Sequence, residues 1–149
     1  MDKPFQRKGW KNNTAVGNDF EAKAKRFFAA DGLHLESNAT VEIGVNGKKS
    51  HGFDLGCLTQ KVLVECKSHT WTAGRNVPSA KMTTWDQAMY FFFAGSSGYR
   101  KVFFVLRDYC ARRKETLAEY YIRTHYHLVP KDVEFWEYDE AKSTARRVR

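Results

Sequence analysis

From Lys101 to Leu106 the chain reads Lys-Val-Phe-Phe-Val-Leu, an apolar run of strand length in which polar and apolar positions do not alternate. A strand with one wet face alternates with a period of two, so an unbroken run reads as a strand buried on both faces. Covering both faces takes helices, which constrains the chain toward an α/β layer arrangement. With 149 residues there is material for one such core and little for a second, so residues 1–149 are read as one domain. Hydrophobic residues make up 42% and aromatics 15%, which excludes a disordered chain.

The remaining elements are placed around that run. Gly17, Asn18 and Asp19 supply a capping signal, and Phe20, Ala24, Phe27 and Phe28 then recur at helical spacing until Gly32. Thr40 to Val45 alternates Val41, Ile43 and Val45 with polar residues, and Asn46-Gly47 is the favoured two-residue hairpin turn. A second strand is predicted around Gly52 to Leu58, and a third over Val62 to Lys67. Ser68 to Pro78 reads as a loop, and Ser79 caps a helix that runs through Trp85, Met89 and Phe92 to about Gly95. Beyond Leu106, a helix near Glu115 to His127 is closed by Pro130, and Val133 to Tyr138 alternates as a last strand. The predicted order is αβββαβ with an αβ pair appended.

Formal charge is +8, and its placement matters more than its size. Residues 1 to 11 carry Lys3, Arg7, Lys8 and Lys11 against Asp2, and residues 141 to 149 carry Lys142, Arg146, Arg147 and Arg149 with no acid. Those two stretches hold +3 and +4, which leaves +1 for everything between them. Residues 1–16 and 141–149 therefore read as flexible basic arms on a nearly neutral body, an arrangement suited to a polyanion such as nucleic acid. Cys57, Cys66 and Cys110 form no CxxC pair, and the first residues lack a signal-peptide layout, so a reduced, cytoplasmic setting is expected. No apolar run approaches the roughly 18 residues that span a bilayer, so no membrane role is expected. His125 and His127 with Cys110 do not make a zinc set, because no second pair stands at ligand spacing.

Val62-Leu63-Val64-Glu65-Cys66-Lys67 is an apolar strand that ends on a carboxylate and an ammonium leaving the same face. Burying either charge without partners is costly, so the pair needs another explanation than packing. Asp54 lies on the preceding strand across a tight turn, with ten residues between it and Glu65. Two carboxylates and one ammonium are thus expected to converge. Hard oxygen ligands of this kind suit Mg²⁺, with Mn²⁺ as a substitute, and such an ion assists attack on a phosphodiester.

Asp54 followed by Glu65-Cys66-Lys67 within an αβββαβ order resembles the PD-(D/E)XK nuclease superfamily, and the small size is most similar to its Holliday-junction resolvase branch. Phe53 stands where the family's name has Pro. The resemblance implies a restriction-endonuclease-like core, with a mixed central sheet flanked by helices. It implies that Asp54, Glu65 and the backbone carbonyl of Cys66 hold Mg²⁺, and that Lys67 assists the attacking water. Many members add a glutamate from the first helix, a place Glu21 fits. Gln87 with Tyr90 is similar to a pair some members use near the site, at a slightly different spacing.

The expected activity is Mg²⁺-dependent endonucleolytic cutting of nucleic acid, DNA ahead of RNA, and branched DNA such as junctions within that. The alternative is an inactive nucleic-acid-binding module of the same fold. Arg107, Arg112, Arg113 and Lys114 form a compact basic cluster, Lys48 and Lys49 sit at the hairpin tip, and Ser68 and His69 follow the motif. All eight are candidates for nucleic-acid contact. Phe91, Phe92 and Phe93 beside Trp85 read as core or as the face of a homodimer, the assembly common among small resolvase-like nucleases.

Overall fold

The computed structural model describes residues 13–95 and 97–149; Lys3, Arg7, Lys8 and Lys11 lie outside the described residues. In chain order the elements are α1 (Asn13–Ala29), β1 (Glu36–Ile43), β2 (Lys49–Cys57), β3 (Val62–Lys67), α2 (Ser79–Ala94) and β4 (Arg100–Leu106). A small hairpin, β5 (Tyr109–Cys110) and β6 (Glu115–Thr116), follows. The chain then forms α3 (Leu117–His125), a 3-10 turn at Tyr126–Leu128, β7 (Val133–Asp139) and β8 (Thr144–Arg147). Six strands make one mixed sheet in the order β1-β2-β3-β4-β7-β8. The pairs β3–β4 and β4–β7 are parallel, and the other three are antiparallel.

The two-sided burial expected of β4 is what organises the molecule. Phe103 and Val105 join Leu63, Phe135, the α2 residues Met82, Trp85, Met89 and Phe92, and the α3 residues Leu117 and Tyr121. Val102, Phe104 and Leu106 point the other way, into a second core with Val62, Val64 and the α1 residues Phe20, Ala24 and Phe28. Successive residues of β3 and β4 thus feed opposite layers, as a period of two requires. α3 begins at a capping box: Thr116 Oγ1 accepts from the Glu119 N–H at 3.1 Å, and Glu119 Oε1 from the Thr116 N–H at 2.9 Å.

One irregularity positions the chemistry. Leu35, just ahead of β1, packs in the α1-side core and Ala39 in the α2-side core, although residues four apart along a regular extended chain share a face. β2 does the same between Phe53, on the α2 side, and Leu55, on the α1 side. Ser37 pairs with Leu55 and Ala39 with Phe53, and between them Asn38 takes the left-handed φ of 55° opposite Asp54. Both strands therefore switch faces together, at Asn38 and at Asp54. Gly56 lets them stay close beside this switch: a Cβ there would stand 2.5 Å from Ala39 Cβ and 2.7 Å from the Val62 carbonyl oxygen. Gly56→Ala is expected to destabilise the fold by about 1–3 kcal/mol, read as a lower urea midpoint with an unchanged slope.

Two expectations about the ends need correction. α1 starts at Asn13, ahead of the Gly17-Asn18-Asp19 signal, so residues 13–16 belong to a helix rather than to an arm. Residues 144–147 are likewise not a free arm, because β8 pairs antiparallel with β7. Arg146 Nε donates to Glu137 Oε1 at 2.7 Å, and Glu137 is 1% exposed. Arg149 Nη1 donates to the Val133 carbonyl at 2.7 Å. Positive charge that looks unmatched along the sequence is matched by acceptors on the neighbouring strand.

The phenylalanine triplet of α2 divides three ways: Phe92 is fully buried, Phe91 stacks on His51 with ring centroids 4.0 Å apart, and Phe93 is exposed beside Tyr90. No helix among the described residues is long and apolar enough to cross a membrane.

A candidate metal centre at the carboxyl edge of the sheet

Beyond the pair Leu55 and Val64 the β2–β3 ladder ends, and its amides take side-chain partners instead. The Asp54 N–H donates to Glu65 Oε1 at 3.1 Å, and the Cys66 N–H donates to Asp54 Oδ2 at 2.9 Å. Each carboxylate thus satisfies a backbone donor of the other's strand, which locks the two acids face to face. The switch of faces at Asp54 is what turns its side chain toward β3.

Electrostatics follow from that contact. Glu65 is 7% exposed, and its carboxyl is pushed up to about 8, first by burial and then by the adjacent Asp54 charge and a carboxyl–carboxyl hydrogen bond. The Asp54 N–H and the Lys67 ammonium act in the opposite direction. A cation held between the two carboxylates would offset their repulsion. The Cys66 thiol is pushed well above its usual range by burial and by Asp54, Glu21 and Glu65. It therefore stays a neutral thiol, and a hard cation would meet its carbonyl oxygen rather than sulfur.

A cleft of about 670 Å³ opens on this edge. It is lined by Val16, Gly17 and Glu21 of α1, by Asp54, Cys66 and Lys67, and by residues 68–73, Pro78 and Lys81. Phe20, Ala24 and Phe28 bury the inner stripe of α1, and Glu21, one residue round, stands at its margin toward the cleft. Burial and the Asp54 charge raise its carboxyl, and Lys25 lowers it. Glu65 is buried behind Asp54, to whose N–H it is bonded, and does not itself line the cleft.

Of the predicted site residues, the structure brings together Glu21, Asp54, Glu65, Cys66 and Lys67, with Ser68 and His69 at the rim. His69 Nδ1 accepts from Trp85 Nε1 at 2.9 Å, so its ring is tied to the core. Gln87 is not brought in: Trp85, Ala88, Met89 and Phe92 face the sheet, and Gln87 is exposed on the far side of α2. Lys48 and Lys49 are remote as well. Gly44, beside their hairpin, bonds to Ala94 at the end of α2, whereas the start of α2 lines the cleft. The separation is one helix length, about 22 Å for sixteen residues.

Arg112, Arg113 and Lys114 occupy the β5–β6 turn, an element the sequence did not reveal. The Arg75 carbonyl accepts from Arg112 Nη2 at 2.8 Å and from Arg113 Nε at 3.2 Å, so these two arginines hold a loop. Arg107 lies 3.6 Å from buried Glu137, outside the cleft. Sequence reasoning also missed Trp71, Asp108 and Lys81. Trp71 was a visible signal, a large apolar side chain in a stretch otherwise of loop composition, and it is 3% exposed.

Among the described residues no three His, Cys, Asp or Glu side chains are gathered closely enough to cage an ion. The acids nonetheless fit Mg²⁺ in kind: two hard carboxylates in contact, a raised carboxyl that a cation would relieve, and a rim open to water and phosphate. Comparison with protein-family models, with curated proteins and with solved structures finds no match.

Proposed function

We propose that the chain is a PD-(D/E)XK-type, Mg²⁺-dependent endonuclease acting on DNA, with branched DNA among its substrates. The observation that carries this reading is the reciprocal lock between Asp54 and Glu65, with Lys67 two residues on along β3 and Glu21 on the facing helix. Asp54, Glu65 and the Cys66 carbonyl are the groups that would hold Mg²⁺. When bound, the ion supplies charge neutralisation at phosphorus and lowers the pKa of the attacking water.

The chain's own residues do the rest. Lys67 lines the cleft beside the acids, where its ammonium donates either to the attacking water or to the oxyanion that develops. Glu21 lines the same space, where its carboxylate would accept from the waters around a bound ion. Trp85 fixes His69, and the buried side of α2 keeps the floor rigid, which limits the motion that would misalign a nucleophile.

The test is a cleavage assay on plasmid, single-stranded and four-way-junction DNA, with Mg²⁺ or with EDTA. Cutting is expected in Mg²⁺ and none in EDTA, with the junction favoured over linear duplex. Tight, salt-dependent binding without metal-dependent cutting on any substrate would instead identify a binding module of the same fold.

A further inference from the structure

The stretch of the cleft lining around Trp71 is held by contacts outside the cleft. The Trp71 N–H donates to Asp108 Oδ2 and its indole N–H to the Asp108 carbonyl, both at 2.9 Å. The Arg113 guanidinium lies 5.0 Å over the indole, and Tyr120 meets it edge-on at 5.5 Å. The loop then closes on itself. The Thr72 N–H donates to the Asn76 carbonyl and the Asn76 N–H to Thr72 Oγ1, each at 3.0 Å. Arg112 and Arg113 hold the Arg75 carbonyl at its tip. A loop tied at this many points loses little further entropy when a ligand arrives.

Beside this loop, the cleft lining presents two groups that the fold itself does not use. Thr70, next to the buried indole, lines the cleft, and among the described residues nothing bonds to its hydroxyl. Lys81, in the first turn of α2, is exposed on the same cleft, and among the described residues no carboxylate pairs with its ammonium. Elsewhere Lys23, Lys101, Arg100, Arg123 and Arg146 each hold a carboxylate. A hydroxyl and a spare cation thus line the same cleft as Glu21 and Asp54. A ligand matching this lining is anionic at one point and tolerates a cation-bridged acidic pair at the next, which is the pattern of successive phosphates along one nucleic-acid strand.

We infer that Thr70 and Lys81 form a preformed subsite for the phosphate next to the one at Asp54 and Glu65, gripping the strand's backbone without regard to base identity. The inference rests on the nuclease reading for the identity of the strand. Its test is equilibrium binding of a fluorescein-labelled DNA duplex of about 20 base pairs by the full chain in EDTA, across about 50–200 mM salt. Lys81→Ala is expected to bind about tenfold more weakly and to lower the slope of log affinity against log salt by about one. Thr70→Val should weaken binding severalfold with the slope unchanged, because no charge is lost. Lys131→Ala, at the amino end of β7, should match the unaltered chain.

A Lys81→Ala slope equal to that of the unaltered chain overturns the subsite. So does an equal loss in Lys131→Ala, which would make the effect one of net charge, and so does failure of the unaltered chain to bind. The expected binding pattern without cutting in Mg²⁺ leaves the subsite standing and removes the catalytic reading. Cutting with unchanged slopes does the reverse.

Discussion

Glu65→Gln is expected to reduce Mg²⁺-dependent cleavage by roughly a thousandfold or more, equivalent to about 4 kcal/mol of transition-state stabilisation. Glutamine keeps the volume of the side chain, and its carbonyl oxygen can still accept the Asp54 N–H that Glu65 Oε1 now takes at 3.1 Å. The fold is therefore retained while a ligand charge is lost. Asp54→Asn should be comparably damaging, since its amide oxygen can still accept the Cys66 N–H that Asp54 Oδ2 now takes while the second ligand charge is lost. Lys67→Ala separates the roles. Its ammonium is no ligand, so calorimetry should find Mg²⁺ affinity nearly unchanged while single-turnover cutting falls by about 10²–10³-fold, the size of effect that follows loss of one positioned donor. Cutting by Glu65→Gln at the unaltered rate would remove the site from Asp54 and Glu65 altogether.

How much of this could be read from the sequence depends on which force set each feature. Short-range patterning was legible: the unbroken run at Lys101 to Leu106 became β4, the central two-sided strand, and Val62–Lys67 became β3 with the predicted bounds. The Asn46-Gly47 signal marked the site of the first hairpin but not its turn: Ile43 pairs with Lys49, so β1 stops short of Val45 and a five-residue loop, 44–48, replaces the expected two-residue turn. The meeting of Asp54 with Glu65 was legible only as adjacency of strands. Its geometry depends on Asn38 taking a left-handed φ on a different strand, and nothing in the residues around Asp54 announces that. Charge was the least legible property. Arg112, Arg113 and Arg146 looked like free cations because their acceptors lie outside the local charge run: the Arg75 carbonyl is more than thirty residues away, and Glu137 is on the neighbouring strand β7. Gln87 is a different kind of miss: helical period alone puts it opposite Trp85, Ala88 and Met89, so the face pattern already argued against the position that motif spacing favoured.

Without metal, the chain is expected to lose stability as pH rises from about 5.5 to 8, by roughly 2–3 kcal/mol from Glu65 alone. Glu65 titrates near its ordinary value of 4.5 in the unfolded chain and near 8 in the folded one. Between those values the folded state holds a proton that the unfolded state has lost, so the stabilising contribution is full below the lower value and is lost as pH climbs through the upper one. The raised carboxyl of Glu21 acts in the same direction. His51 opposes them, because burial lowers its imidazole, and a lowered base contributes stability above its ordinary value that is lost as pH falls. The variant Glu65→Gln isolates the acid: His51 is unaltered in it, yet the fall toward pH 8 should shrink by most of that amount in urea denaturation. Added Mg²⁺ should reverse the trend, stabilising the chain more at pH 8 than at pH 5.5, since ion binding must displace the proton that Glu65 holds. Equal stabilisation at both pH values would mean that the ion binds somewhere other than between Asp54 and Glu65.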